Sequence, residues 1–285
     1  MKFSVSSSEL NKGLSTVIGA VPNKATLPIL ETILFQSEEN SIKLSATDLE
    51  ISIIQHVQAD VEEGGSVAIP ARRLLETLRQ LPNITVFFEV DERNNVLFKT
   101  DKGTYKLVGD DSDDFPEVPD LYDGVTIESD TDVIQQAINK TLFAVSNDDL
   151  RPAMMGVYFQ LGPNASQFVS TDGHRLVKYS TQDITTSEEH SFIVPDKALA
   201  LIQKSISDDQ TVIRVNQDHV SFKSRDTQLI TRLINEQYPN YESVIPRDND
   251  KFLTIGKDQM LSTVKRVSIF SSSPTRQIRL QLAAD

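Results

Sequence analysis

The 285-residue chain contains no cysteine, and this absence excludes disulfide frameworks, thiolate zinc sites and cysteine nucleophiles. Glycine and proline are sparse, at 11 and 12 residues, which excludes collagen-like and low-complexity classes. No stretch reaches the ~18 uninterrupted apolar residues of a membrane-spanning helix, and the N-terminus lacks the pattern of a secretory signal. We therefore expect a soluble, cytoplasmic globular protein without a membrane partner.

The composition that is present suits a folded chain of about two domains. Hydrophobic residues make up 39% and charged residues 24%, and this length can bury a sizeable core. The 28 basic and 41 acidic residues give a net charge of −13. Taken alone, that charge favours solubility and argues against indiscriminate binding to polyanions such as nucleic acids.

Four short patterns recur in the same order at an interval close to 124 residues, which indicates an internal repeat. Ala46-Thr47-Asp48-Leu49 returns as Ser170-Thr171-Asp172-Gly173, Ser66–Pro70 as Ser191–Pro195, Phe98-Lys99-Thr100 as Phe222-Lys223-Ser224, and Phe115-Pro116 as Tyr238-Pro239. Leu261–Val264 repeats Leu14–Val17 after 247 residues, or two intervals. We predict domains at 1–122 and 123–246, and read 247–285 as the incomplete start of a third in a chain that looks truncated.

Apolar residues at helical spacing predict five helices, at 8–20, 71–82, 130–145, 195–206 and 257–268. Ser6 and Glu9 fit a capping box for the first helix, while Pro70 and Pro195 suit the first turn of two others. Alternating patterns predict hairpins of 84–90 with 96–99 and of 157–161 with 167–170. The expected class is α+β, with antiparallel sheets that carry helices on one face.

Positive charge is concentrated on the predicted helices. They carry ten basic and six acidic residues, a net charge of +4, so the remainder carries −17. Arg72 and Arg79 project opposite the leucine stripe of the second helix, where a polyphosphate could lie. Ordinary solvated surface is the alternative explanation for any one of these residues, but the repeated pattern favours a functional one.

Several motifs together give the chain its resemblance to a known family. They are Lys2-Phe3, Thr26–Leu30, Ala46–Glu50, Ile69–Arg72, Phe115-Pro116, Thr171–Leu176 and Tyr238–Tyr241. In this order and over the whole chain, the sequence resembles the bacterial sliding clamp, the β subunit of DNA polymerase III. The resemblance implies tandem clamp domains, each with two helices packed on antiparallel sheets, in a head-to-tail homodimeric ring with helices lining its hole.

The function implied by this resemblance is a sliding clamp that encircles duplex DNA and tethers the replicative polymerase for processive synthesis. Expected partners are double-stranded DNA, the polymerase III α subunit, the clamp loader, other polymerases and repair proteins that carry clamp-binding peptides, and a second copy when full length. No catalytic activity, cofactor or metal is expected. Phosphate contacts carry no sequence information, so a sliding ring can hold DNA weakly while its topology supplies retention.

The resemblance also assigns residues to three surfaces. The predicted DNA-binding residues are Lys24, Arg72, Arg151 and Lys197. The predicted hydrophobic peptide cleft comprises Met154, Thr171, Gly173, His174, Arg175, Leu176, Pro239 and Val244. The predicted dimer interface comprises Arg73, Tyr105, Leu107, Ile269 and Phe270. Ser243 and Thr275 depart from residues the family can show at the cleft, and its C-terminal tail is absent, so we expect a partial cleft.

Two other readings remain open. Asp172 and His174, two apart on a strand, would share a face and could form an acid–base pair or bind a metal. A repeat-built scaffold without a DNA role would also suit an acidic, β-rich chain. Glycine-rich phosphate loops of the P-loop and dinucleotide-binding kinds are absent, so any nucleotide-dependent step belongs to partners.

Overall fold

The structure, a computed structural model, describes residues 1–101, 103–121, 123–250, 252–272 and 277–281. Its contacts divide the chain into a large unit, Met1–Pro239, and a small one, Asn240–Asp285. The predicted boundaries at 122 and 246 remain predictions.

All five predicted helices are present. They are α1 (Ser7–Val17), α2 (Ala71–Arg79), α3 (Thr131–Thr141), α4 (Asp196–Ser205) and α5 (Lys257–Ser268). The apolar stripes explain why these segments are helical, because Leu10, Leu14 and Val17 of α1 lie completely buried on one face. The predictions for the first and third helices ran past the α-helical ends because each tightens there into a 3-10 turn, Ile18–Ala20 and Leu142–Ala144.

Two details of the helix starts differ from the sequence prediction. Ser6 is the N-cap residue of α1, but its side chain makes no cap hydrogen bond, so the predicted capping box is wrong. Its hydroxyl instead lies 2.9 Å from Ser8 Oγ and donates to Asn83 Oδ1 at 3.0 Å. Pro70 and Pro195 stand at the N-cap positions of α2 and α4 rather than inside the first turn.

Seventeen strands complete the described fold, and every pairing between them is antiparallel. They are β1 (Lys2–Ser6), β2 (Thr32–Ser37), β3 (Ser41–Thr47), β4 (Ile51–Gln58), β5 (Asp60–Glu63), β6 (Ser66–Pro70), β7 (Thr85–Val90), β8 (Asn95–Thr100), β9 (Gly103–Val108), β10 (Val125–Asp130), β11 (Gly156–Leu161), β12 (Ser166–Thr171), β13 (Leu176–Thr181), β14 (His190–Pro195), β15 (Gln210–Val215), β16 (His219–Ser224) and β17 (Thr227–Arg232). Both predicted hairpins, β7–β8 and β11–β12, are confirmed.

The sheets show how the two repeats are joined. The first sheet has the order β5-β1-β7-β8-β9 and the third has β13-β12-β11-β14. The eight-stranded sheet between them, β10-β15-β16-β17-β4-β3-β2-β6, takes four strands from each repeat and joins them through β17 and β4. At this joint Thr227 pairs with Gln55 and Thr231 with Ile51. The same pattern places β9 and β13, the counterparts of β17 and β4, at sheet edges.

One large hydrophobic core runs through both repeats of the large unit, beside smaller clusters around Phe115 and Leu121. In the first repeat it contains a stack of rings, with Phe88 lying 4.7 Å from Phe3 and 5.3 Å from Phe98. In the second, Phe159 lies 4.8 Å from Phe168 and 5.3 Å from Phe192. Helices α1 to α4 pack on the strands that enclose this core, as expected for the α+β class.

The small unit has little packing of its own. It holds a 3-10 turn, Tyr241–Val244, and helix α5. All of α5 lies in the described part of the chain, and none of its residues is buried.

Candidate functional site

Two corresponding turns carry the repeated Thr-Asp pair and are built by the same hydrogen bonds. In the first turn, residues 47–51, Asp48 Oδ1 accepts the amides of Glu50 at 3.1 Å and Ile51 at 2.7 Å. In the second, residues 171–175, Asp172 Oδ1 accepts the amides of His174 at 2.9 Å and Arg175 at 3.0 Å. A residue with positive φ follows each aspartate. The sequence repeat therefore extends to individual hydrogen bonds.

The second turn brings together five of the predicted cleft residues. Thr171 Oγ1 donates to the carbonyl of Arg175 at 2.8 Å and accepts the amide of Gly173 at 3.1 Å. Thr171 also pairs with Leu176 where β12 meets β13. His174 and Arg175 are exposed, and Leu176 is half-buried. The turn thus offers polar groups beside a partly exposed aliphatic side chain.

Charge at this turn is balanced locally. Arg175 Nε lies 3.0 Å from Asp172 Oδ2, and its guanidinium carbon lies 5.5 Å from the centre of the Phe143 ring. Burial disfavours ionisation of Asp172, but the amides of Arg175 and His174 and the Arg175 guanidinium outweigh it and lower the pKa of the carboxyl. Asp172 is therefore an ion-paired, structural carboxylate at neutral pH.

Arg151, predicted to contact DNA, lies beside Gly173 of the predicted cleft. Its Nη1 would be 2.7 Å from a Cβ added to Gly173, where the φ of +87° favours glycine. Arg151 Nε also lies 2.8 Å from Asp148 Oδ2. Hydrogen bonding from the Leu150 amide, followed by Arg151, lowers the pKa of Asp148. The segment that carries Arg151 and half-buried Met154 therefore lies beside the second turn.

The two remaining cleft residues lie in different units. Tyr238 stacks on Tyr158 at 4.7 Å and donates its hydroxyl to the carbonyl of Val169 at 3.4 Å. This anchors Pro239 beside β11 and β12 in the large unit. Val244 belongs to the small unit, where it is 67% exposed. Ser243 there donates to the carbonyl of Asn240 at 2.8 Å, while Thr275 lies outside the described residues.

The other predicted DNA-binding residues occupy two places. Arg72 Nη2 donates to Asn23 Oδ1 at 2.6 Å, which brings α2 to the exposed loop that carries Lys24. Lys197, at the start of α4, forms an ion pair with Asp48 of the first turn. Sequence reasoning did not predict this ion pair because its two members lie 149 residues apart, and no local pattern marks such a pair.

The predicted interface residues are also dispersed. Tyr105 and Leu107 lie on edge strand β9, where Tyr105 stacks on Phe98 at 4.8 Å and Leu107 is buried in its own module. Arg73 is exposed on α2. In the small unit, Ile269 and Phe270 are 78% and 88% exposed.

The proposed acid–base or metal pair of Asp172 and His174 rests on a wrong premise. The two residues lie in the turn between β12 and β13, so strand alternation does not place them on one face. Hydrogen bonds from backbone amides and Arg175 already occupy the Asp172 carboxylate. Among the residues that the structure describes, no three His, Asp or Glu side chains come together as metal ligands.

Membrane insertion by a helix also finds no support in the part of the chain that is described. None of its helices combines the length and the apolar character that crossing a bilayer requires.

Comparison with known families matches both repeats. Residues 1–119 match the family model of the DNA polymerase III beta subunit N-terminal domain, and residues 128–240 match that of its central domain. The chain belongs to the DNA polymerase III beta subunit family, the bacterial sliding clamps. This confirms the resemblance identified in the sequence.

Relatives of known name agree with the family assignment. The beta sliding clamp of Synechococcus elongatus is 29% identical over 290 residues, which cover 99% of this chain and 77% of that protein. The beta sliding clamp of Bacillus subtilis is 27% identical over 282 residues, covering 95% of this chain and 75% of that protein.

Solved clamp structures share the fold. A Pseudomonas aeruginosa sliding clamp bound to griselimycin superposes with a TM-score of 0.93 and 29% identity, covering 99% of this chain and 78% of that one. The Bacillus subtilis polymerase sliding clamp gives a TM-score of 0.91 and 26% identity, covering 96% of this chain and 75% of that one. The predicted clamp fold is thereby confirmed.

Proposed function

We propose that this chain forms part of a ring that encircles duplex DNA and tethers the replicative polymerase for processive synthesis. One observation carries the proposal. Two clamp modules stand in tandem, matched to the beta subunit family over residues 1–119 and 128–240 and joined through one continuous sheet. Sliding along DNA requires no sequence readout, and repeated modules of one shape suit that task.

The charge distribution supports DNA as the encircled molecule. The ten basic residues of the predicted helices are all exposed. They are Lys12, Arg72, Arg73, Arg79, Lys140, Lys197, Lys204, Lys257, Lys265 and Arg266. The proposed phosphate contacts are Lys24, Arg72, Arg151 and Lys197, and Arg72 donates to Asn23 in the loop that carries Lys24. Such contacts give weak, salt-sensitive binding without a preferred register.

The joint between the repeats suggests how a second copy closes the ring. Strand β17 binds β4 at this joint, and its counterpart β9 lies at the edge of its sheet, with Tyr105 and Leu107 on it. An edge strand presents backbone groups that a further strand can pair with. We place the homodimer contact at β9 and Arg73, with Ile269 and Phe270 supplying the opposing apolar patch.

A peptide cleft on the second module is the proposed docking site for the polymerase α subunit, the clamp loader, other polymerases and repair proteins. The turn of residues 171–175, with Leu176, Met154 and Pro239, combines aliphatic walls with a few polar anchors, which suits short peptides. Val244, which belongs to the small unit, remains a cleft residue on the family resemblance alone. Chemical steps then belong to these partners, and we assign the chain a processivity role in the cytoplasm without catalysis or a cofactor.

Topological retention tests the main proposal. Fluorescently labelled protein is loaded on nicked circular DNA by a clamp loader with ATP, and free protein is removed by gel filtration. We expect retention on the circle and release when a restriction enzyme linearises it, because only the ring holds the DNA. A Lys24→Ala/Arg72→Ala double variant controls for phosphate contact. Equal retention on linear and circular DNA would contradict encirclement, and absence of retention on both would favour a scaffold.

A further inference from the structure

One of the proposed DNA contacts is held by a carboxylate from the other repeat. Lys197 Nζ pairs with Asp48 Oδ2, so a residue of the second module is bound to the first. Arg72, the counterpart of Lys197 in the first repeat, instead donates to the neutral side chain of Asn23 at 2.6 Å. The two corresponding cations therefore meet different partners.

The two members of the pair differ in freedom. The Asp48 side chain is 13% exposed, and its Oδ1 is fixed by the amides of Glu50 and Ile51. The Lys197 side chain is 59% exposed, on a flexible four-carbon stem. The Lys197 ammonium can therefore move to another anion, whereas the Asp48 carboxylate stays fixed in the first turn.

The second repeat explains why Asp48 needs a distant cation. In that turn the corresponding Asp172 is paired within the turn by Arg175 Nε at 3.0 Å. The first-repeat counterpart of Arg175 is Ile51, which has no charge. The first turn thus presents a fixed carboxylate without a cation of its own, and Lys197 supplies one.

We propose that Asp48 competes with DNA phosphate for Lys197 and so lowers the affinity of the clamp for DNA. This inference rests on the proposed DNA-binding function. A lysine that binds phosphate ordinarily contributes a slope of about 0.9 in log K against log salt through counterion release. Lys197 must exchange one oxyanion for another, so it contributes less to both affinity and salt dependence. A clamp that slides along DNA must bind it weakly.

An Asp48→Asn variant tests the competition directly. Asparagine keeps an Oδ1 acceptor for the two backbone amides but removes the charge that holds Lys197. Binding of the full chain to a labelled linear duplex is measured by fluorescence anisotropy across a series of NaCl concentrations. We expect D48N to tighten binding about twofold to fivefold at low salt, the range of an exposed ion pair, and to steepen the salt dependence.

Asp172→Asn is the matched control, because it removes the same charge from the corresponding turn without touching Lys197. We expect D172N to change DNA affinity less than D48N. A Lys197→Gln background should abolish the D48N effect. Equal effects of D48N and D172N, or an undiminished D48N effect in the K197Q background, would overturn the inference.

A second comparison does not depend on the folding of D48N. In the otherwise unchanged chain, K197Q should weaken DNA binding less than Arg72→Gln, since only Lys197 starts from a carboxylate. If K197Q weakens binding as much as R72Q, competition is overturned while DNA binding stands. If no variant or parent binds DNA at any salt, the proposed function falls and this inference with it.

Discussion

The corresponding turns show how one local structure is reached with different residues. Leu49 and Gly173 occupy the same place in the two repeats, with φ values of 78° and 87°. Glycine adopts this left-handed conformation without steric cost, whereas a leucine is strained there. The Thr-Asp hydrogen bonds evidently hold both turns, and the first turn tolerates the strain.

Exchanging the two residue types tests this account. We expect Leu49→Gly to leave the free energy of unfolding unchanged or to raise it by up to about 1 kcal/mol, since Leu49 is half exposed and glycine relieves the strain. Gly173→Ala should lower it by about 1–2 kcal/mol, because alanine is strained at the φ of +87°. Urea denaturation measures both. A stabilising G173A would contradict the argument.

Individual residues were predictable where the signal was local. The Thr-Asp pair repeats in the sequence, and its hydrogen bonds repeat in the structure. The wrong capping box arose because Ser6 meets Asn83, which is 77 residues away. The ion pair of Asp48 with Lys197 could not be predicted for the same reason, because its members lie 149 residues apart. The assignments to DNA, peptide and partner remain predictions carried by the family resemblance.

Helical elements follow from periodicity because a helix buries its apolar stripe whatever it packs against. The stripe of α2, Leu74 and Leu78, is buried as predicted. Strand partners could not be predicted in the same way. Pairing of β17 with β4 joins strands about 175 residues apart, and alternation reveals a strand without identifying its neighbour.

Helices α1 and α5 carry the same Leu-Ser-Thr-Val pattern but differ in burial, which leads to a matched prediction. Leu14 of α1 is fully buried, whereas its sequence counterpart Leu261 of α5 is 45% exposed. We expect Leu14→Ala to cost about 2–5 kcal/mol of unfolding free energy, and Leu261→Ala to stay within about 0.5 kcal/mol. Thermal and urea unfolding provide the measurements. A comparable loss in both variants would show that α5 is packed as tightly as α1.

At the scale of the whole chain, the repeat in sequence does not imply two independent folding units. The eight-stranded sheet takes strands from both repeats, and one core runs through them. Thr227 Oγ1 also donates to Gln55 Oε1 at 2.6 Å across the joint, and His56 donates its amide to the carbonyl of Asp226 at 2.9 Å. The modules recognised by family are therefore coupled in stability.

Cooperative unfolding of residues 1–239 follows from that coupling. In hydrogen exchange measured over a urea series, we expect peptides from β2–β4 and β15–β17 to lose protection at one midpoint, because exposing one half of the shared sheet exposes the other. Leu14→Ala, although confined to the first repeat, should lower both midpoints together. Leu261→Ala is the control and should shift neither. If L14A lowers only the first-repeat midpoint, the joint does not couple the modules, and a clamp assembled through such joints would flex at each of them.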